Sequence, residues 1–143
     1  MQLETLENTW KTPRNNTITW NSRRQPTVAL STTEAEYMAL SYTICEGIWI
    51  RALLRELGMA QPTTTIHEDN QGCIALAKNP VQHHRTKHID VKYHFIREQI
   101  EQESFQVIYC QTDEMKADVL TKGIAGPQPN KLRNLLSLQK REI

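Results

Sequence analysis

Residues 31–58 read STTEAEYMALSYTICEGIWIRALLRELG, and the way this run folds decides the architecture of the chain. Ser31 and Glu34 stand at capping-box spacing, where hydroxyl and carboxylate each satisfy a free backbone N–H at a helix start. Gly58 can take the left-handed conformation that closes a last turn. Between them Ala35, Met38, Ala39, Tyr42, Cys45, Trp49, Ala52, Leu53 and Leu57 recur at three- and four-residue steps. That spacing predicts one long amphipathic helix with this stripe laid on a sheet or on other helices. Its first turn carries Glu34 and Glu36, whose task decides the functional reading.

The 143 residues suit a single domain, long enough to bury about two-thirds of the surface of its unfolded chain. A net charge of +1 excludes a protein that grips nucleic acid by bulk charge, so such contact would need a local cluster. Cys45, Cys73 and Cys110 are isolated, with no CxxC pair, which suits reduced core thiols better than a disulfide frame or a zinc knuckle. No apolar run approaches the roughly 20 residues of a membrane span, and the N-terminus lacks the order of a secretory signal. The expectation is a soluble intracellular protein, of cytoplasm or nucleus.

Residues 1–16 are polar with little periodicity and are left unassigned, with Leu3, Leu6 and Trp10 able to support a helical turn or a ragged strand. Thr17 to Trp20 alternates as a half-buried strand does, and a strand kinked near Pro26 leads into the long helix. Thr63 to Glu68 is β-branched and reads as a strand. Asn70 then caps a short helix over Gln71 to Lys78, stopped by Asn79-Pro80. Val81 to His88 is a basic loop, Asp90 to Gln102 a helix, Ser104 to Cys110 a strand. A helix over Asp113 to Lys122, capped by Thr112 or Asp113, and a terminal helix over Lys131 to Leu138 complete the reading.

Three acids fall at comparable places: Glu36 in the first helical turn, Asp69 at a strand end, and Asp118 in the helix after the last strand. Carboxylates converging on one sheet edge are what a pair of magnesium ions requires, since hard cations take oxygen ligands. Two ions about 3.5 to 4 Å apart can activate a water and stabilise the leaving oxygen of a phosphodiester. Taken singly, each of the 16 acids reads more simply as a solvated helix-end residue. Periodicity does not choose between Glu34 and Glu36, which flank the stripe; the capping role open to Glu34 leaves Glu36 as the better ligand. Glu46, near the middle of the stripe, reads as half of a buried ion pair.

The segments TITWNSRRQPTVALSTTEAEYMAL, IHEDNQGCIALAKNP, HHRTKHIDVKYHFIRE and TDEMKADVLTK resemble, in order, blocks of the ribonuclease H domain that ends the polyprotein of copia-type (Ty1/copia) retrotransposons. The resemblance runs from about Thr17 to about Leu138. It implies an α/β ribonuclease H-like fold, a mixed sheet flanked by helices, over residues 17–140. It also implies cleavage of the RNA strand of RNA/DNA hybrids with two magnesium ions held by four acids. By the same resemblance Glu36, Asp69 and Asp118 are three of those acids. The fourth is an aspartate on an N-terminal strand, yet residues 1–68 contain no aspartate. The expected domain is therefore truncated at its N-terminus, with an incomplete two-ion site and impaired hydrolysis that an N-terminal fragment would restore.

Arg23, Arg24, Arg85, Lys87 and Lys92 form two basic patches suited to sequence-independent phosphate contact. Solvated surface charge is the plain alternative. A zinc site from His84, His88, Asp90 and His94 has ligand-like spacing, but no cysteine pair completes it. Some ribonucleases H carry a mobile histidine before the last acid; here Cys110 to Asp113 offers none. Trp20 and Trp49 read as core. The implied partners are an RNA/DNA hybrid and the reverse transcriptase part of the parent polyprotein, with no membrane and no small-molecule cofactor. A non-catalytic nucleic-acid-binding or interaction remnant is the alternative function.

Overall fold

The structure, a computed structural model, describes residues 3–5, 19, 21–26, 28–79 and 87–117; for 3–5, 22–23 and 87–90 it describes the backbone course alone. The described residues are mixed α/β, with three helices, a two-stranded parallel sheet and a two-stranded antiparallel pair. In order come β1 (Leu3–Thr5), β2 (Ser22–Arg24), α1 (Thr32–Glu56), β3 (Thr64–Glu68), α2 (Gln71–Lys78), α3 (Lys87–Glu101) and β4 (Phe105–Tyr109). A 3-10 turn at Thr112–Glu114 follows.

β3 and β4 pair in parallel, in register from Thr64 opposite Phe105 to Glu68 opposite Tyr109. The ladder is extended at both ends, by Thr64 N–H on the Ser104 carbonyl and Cys110 N–H on the Glu68 carbonyl, each 3.0 Å. Along β3 the residues alternate between buried and half-buried, so Thr64, Ile66 and Glu68 share the covered face. That face meets the helices in one core of Tyr37, Leu40 and Ile44 from α1, Cys73 and Ala77 from α2, Ile96 from α3, and Ile66, Phe105 and Val107 from the strands. A buried aliphatic or aromatic side chain of this kind contributes about 1.5 to 3 kcal/mol.

α1 begins and ends where its signals stand. The Ser31 hydroxyl accepts from Glu34 N–H at 3.1 Å. At the other end Met59 N–H reaches the Leu54 carbonyl and Gly58 N–H the Arg55 carbonyl. This is a Schellman closure around a left-handed Gly58, φ 75°.

The face that α1 buries is not the expected stripe. Ala35 and Met38 are covered as predicted, but Cys45 is exposed, and Trp49, Leu53 and Leu57 are 63%, 42% and 62% exposed. The helix has a second apolar face, Tyr37, Leu40, Ile44, Gly47 and Ile50, and that is the one against the sheet. Shape decided between them. A Cβ on Gly47 would lie 2.6 Å from Phe105 Cε1, so the ring lies on the bare helix backbone there, and hydrophobicity alone undervalues a glycine. Glu46 is exposed rather than buried in an ion pair, because it lies on the uncovered side.

Three further expectations shift. The polar, basic run before Pro26 carries a strand, Ser22–Arg24, which pairs antiparallel with Leu3–Thr5 from the unassigned leading segment, while the strand expected at Thr17 to Trp20 lies, apart from Thr19, outside the described residues. α3 starts at Lys87 rather than Asp90. The helix expected from Asp113 is only a 3-10 turn in its described part: neither Thr112 nor Asp113 caps it, and Gln111 at the cap position makes no side-chain bond. Met115 then leaves the helical conformation, with ψ 101°, and is buried to 6% exposure. Trp20, the loop from Val81 to Thr86 and everything from Asp118 onward, including the helix expected at Lys131 to Leu138, lie outside the described residues.

Candidate active site

The carboxyl end of β3 is where helix starts and acidic side chains come together. Asn70, two residues beyond β3, caps α2 by accepting from Cys73 N–H at 3.1 Å, and its own N–H donates to Glu68 Oε1 at 2.9 Å. Gly72, in the first turn of α2, lies so close to α1 that a Cβ there would stand 3.1 Å from Thr33 Oγ1. The first turns of α1 and α2 therefore meet at this edge, and with them the residues each carries.

Within the first turn of α1 the two glutamates divide. Glu34 Oε2 accepts from Leu30 N–H at 2.8 Å, one residue earlier than an ideal capping box would place the contact. That commits Glu34 to the helix start; Glu36 lies on the exposed surface. Asp69 is half-buried at the end of β3.

Between them stands an acid that the sequence reading passed over. Glu68 is only 7% exposed. Burial pushes its carboxyl up to about 7; the Asn70 N–H works the other way, and the charges of Glu36 and then Asp69 add to the rise. Both predicted ligands are thus close enough to Glu68 to act on its proton. Strand alternation could have found it: with Ile66 inward, a residue two further along must also face inward. The same burial, joined by Glu68, drives the Cys73 thiol far above the usual thiol range, so it is a core group and not a nucleophile. Tyr37, fully buried and tilted on Tyr93 with ring centroids 4.4 Å apart, is likewise pushed up by burial.

Asp118, the third predicted ligand, lies outside the described residues, which end at Ala117. The described chain nevertheless comes to this end of the sheet. His67, on the other face of β3, is held below its usual pKa chiefly by burial and secondly by the charge of Lys116, two residues before Asp118. Among the described residues no three acidic, histidine or cysteine side chains form a metal-holding group. The donor set is of the right kind for magnesium, with Glu36 and Asp69 as oxygen ligands.

Of the five basic residues expected to contact phosphate, two have described side chains. Arg24 is exposed, the side chains of Arg23 and Lys87 lie outside the description, as does Arg85, and Lys92 is half-buried with its ammonium 4.2 Å over the Tyr42 ring. Of the zinc candidates, only the exposed His94 is described with its side chain.

A mixed α/β chain with acidic side chains at the end of a parallel strand is the class that fold and site define. Over 105 residues, 73% of its length, the chain is 50% identical to the retrovirus-related Pol polyprotein from transposon TNT 1-94 of Nicotiana tabacum. It is 43% identical over 110 residues to those from transposons RE1 and RE2 of Arabidopsis thaliana. The chain is thus homologous to copia-type retrotransposon Pol polyproteins, and it spans only 7 to 8% of the length of these curated relatives. No family model and no solved structure matches it. No described helix is long and apolar enough to cross a membrane.

Proposed function

We propose that the chain is the ribonuclease H-like part of such a polyprotein, over residues 17–140, whose parent reaction is endonucleolytic cleavage of RNA in an RNA/DNA hybrid. The observation that carries this reading is the meeting of the first turn of α1 with the end of β3, which sets Glu36 and Asp69 around the buried Glu68. Parallel pairing of the two strands with helices over one face is the arrangement such a fold requires at this edge. Glu36, Asp69 and Asp118 are the proposed ligands, and the approach of Lys116 to His67 supports the third. Magnesium held there would supply an activated water and charge neutralisation at the phosphodiester. Glu68, buried beside the proposed ligands, has its carboxyl pushed up by that burial and by the charges of Glu36 and Asp69. Arg24 and Lys92, with Arg23, Arg85 and Lys87, would position the duplex through its phosphates.

A second reading is favoured by one feature of the sequence: with no aspartate before Asp69, the proposed ligand set lacks the acid on an N-terminal strand that the family resemblance calls for. In that reading the chain binds nucleic acid without cleaving it. Labelled hybrid incubated with the purified chain and magnesium separates the two. Slow cleavage abolished by Asp69→Asn supports the enzyme. Binding that weakens steeply with salt, without cleavage at any magnesium concentration, supports the remnant.

A further inference from the structure

At the opposite end of the sheet the last turns of α1 face the loop before β3 across a cavity of about 270 Å³. Its walls are apolar at Ile48, Ala52, Ala60 and Phe105, and the only charged residues lining it, among those described, are Arg51 and Arg55. Arg51 is fixed. Its Nη1 donates to Thr64 Oγ1 at 2.9 Å and its Nη2 to the carbonyls of Gln61 and Pro62 at 2.9 and 3.3 Å, while the guanidinium carbon lies 5.6 Å from the centre of the Phe105 ring. These acceptors are neutral and occupy at most three of the five guanidinium N–H groups, so among the described residues its charge is positioned but not compensated. Arg55 stands one turn further on, exposed, and no described carboxylate pairs with it. Two guanidiniums with no carboxylate partner among the described residues, beside a cavity whose apolar walls are edged by Gln61, Gln99 and Ser104, form a receptor for an anion with an apolar body.

We propose that this cavity binds a small organic anion, a carboxylate or phosphate carried on a single flat ring, with Arg55 taking the anionic group, Arg51 presenting its remaining N–H groups, and the ring lying against Ile48 and Ala52. The volume sits just under the roughly 300 to 1,000 Å³ of sites for drug-sized ligands, which suits one ring and excludes a dinucleotide. The site is independent of the carboxylate edge and does not rest on the proposed nuclease reading.

The test is titration of the full chain at low salt with phenyl phosphate and benzoate, followed by calorimetry and by amide NMR shifts at Ala52 and Phe105. Inorganic phosphate and benzyl alcohol serve as controls that carry only the charge or only the ring. The expected result is saturable binding of both ring-bearing anions, with each control weaker by about tenfold or more. Arg55→Gln should weaken binding about tenfold or more, the usual effect of losing one charge-assisted hydrogen bond, while leaving thermal unfolding unchanged. Ala52→Leu, which fills the cavity, should abolish it. The proposal is overturned if inorganic phosphate binds as tightly as phenyl phosphate, if Arg55→Gln binds like the parent chain, or if no probe saturates.

Discussion

At the carboxyl end of β3, Glu68 is buried beside Glu36 and Asp69, whereas at the amino end of the same strand Arg51 is clasped by neutral oxygens from Gln61, Pro62 and Thr64. α1, 25 residues and about 37 Å long, joins the two ends and carries Glu34 and Glu36 near its start and Arg51 and Arg55, followed by Glu56, near its end. Both signs suit the helix macrodipole, so α1 by itself does not distinguish the ends. Burial does. The acidic end places a carboxyl in the core beside like charges, and folding there works against ionisation. The basic end keeps its charges near the surface and uses one of them to tie a loop. An edge that accumulates repulsion is suited to a cation, and an edge with spare donors to an anion.

The largest expected effect lies at the basic end. Phe105→Ala removes a ring that is 1% exposed and that underlies both Arg51 and Gly47, and should cost about 3 to 5 kcal/mol in denaturant unfolding. A loss below about 1 kcal/mol would mean that this end is not held by packing at all.

At the acidic end the prediction is a pH dependence. Glu68 binds its proton more tightly in the folded chain, at about 7, than in the unfolded chain, near 4.5. Its contribution is therefore fully present below about pH 4.5 and is lost as the pH rises through about 7, to an extent on the order of 3 kcal/mol. Glu68→Gln, which can still accept from Asn70 N–H, should remove that slope and leave the variant more stable than the parent at pH 8. Identical pH profiles for the two proteins would erase the contrast between the ends.

Gly47→Ala sharpens the account of the core. The new Cβ meets the Phe105 ring at 2.6 Å, so a net loss of about 1 to 2 kcal/mol is expected despite the better helix propensity of alanine. Combined with Phe105→Ala the same substitution should become neutral or stabilising, a coupling that a double-mutant cycle reads directly. The smallest effect belongs to Glu103, which follows α3 with φ 54°, a left-handed conformation that glycine adopts without strain. Glu103→Gly should raise stability by about 1 kcal/mol, measured as a higher midpoint in urea.

Much of this was legible before folding because the signals are local. Ser31 and Gly58 bound α1, Asn70 caps α2, and the β-branched run ending at Glu68 forms β3, since caps and alternation act within a few residues. The capping role expected of Glu34 is also local, and its carboxylate accepts from Leu30 N–H. The failures are equally specific. Trp49, Leu53 and Leu57 looked like core by size, and a 3-10 turn replaced the start of the helix expected at Asp113.

What the sequence determined by itself was which residues begin and end α1 and α2, and that an acid would stand at the end of β3. Which face of α1 is buried, that Glu68 and not Glu46 is the acid inside, and that Arg51 holds the loop before β3 were decided only by the tertiary structure. The reason is that an amphipathic pattern records how much apolar surface a face offers. Burial is awarded to the face whose shape fits its neighbour, and at Gly47 that fit depends on the Phe105 ring, 58 positions further along the chain.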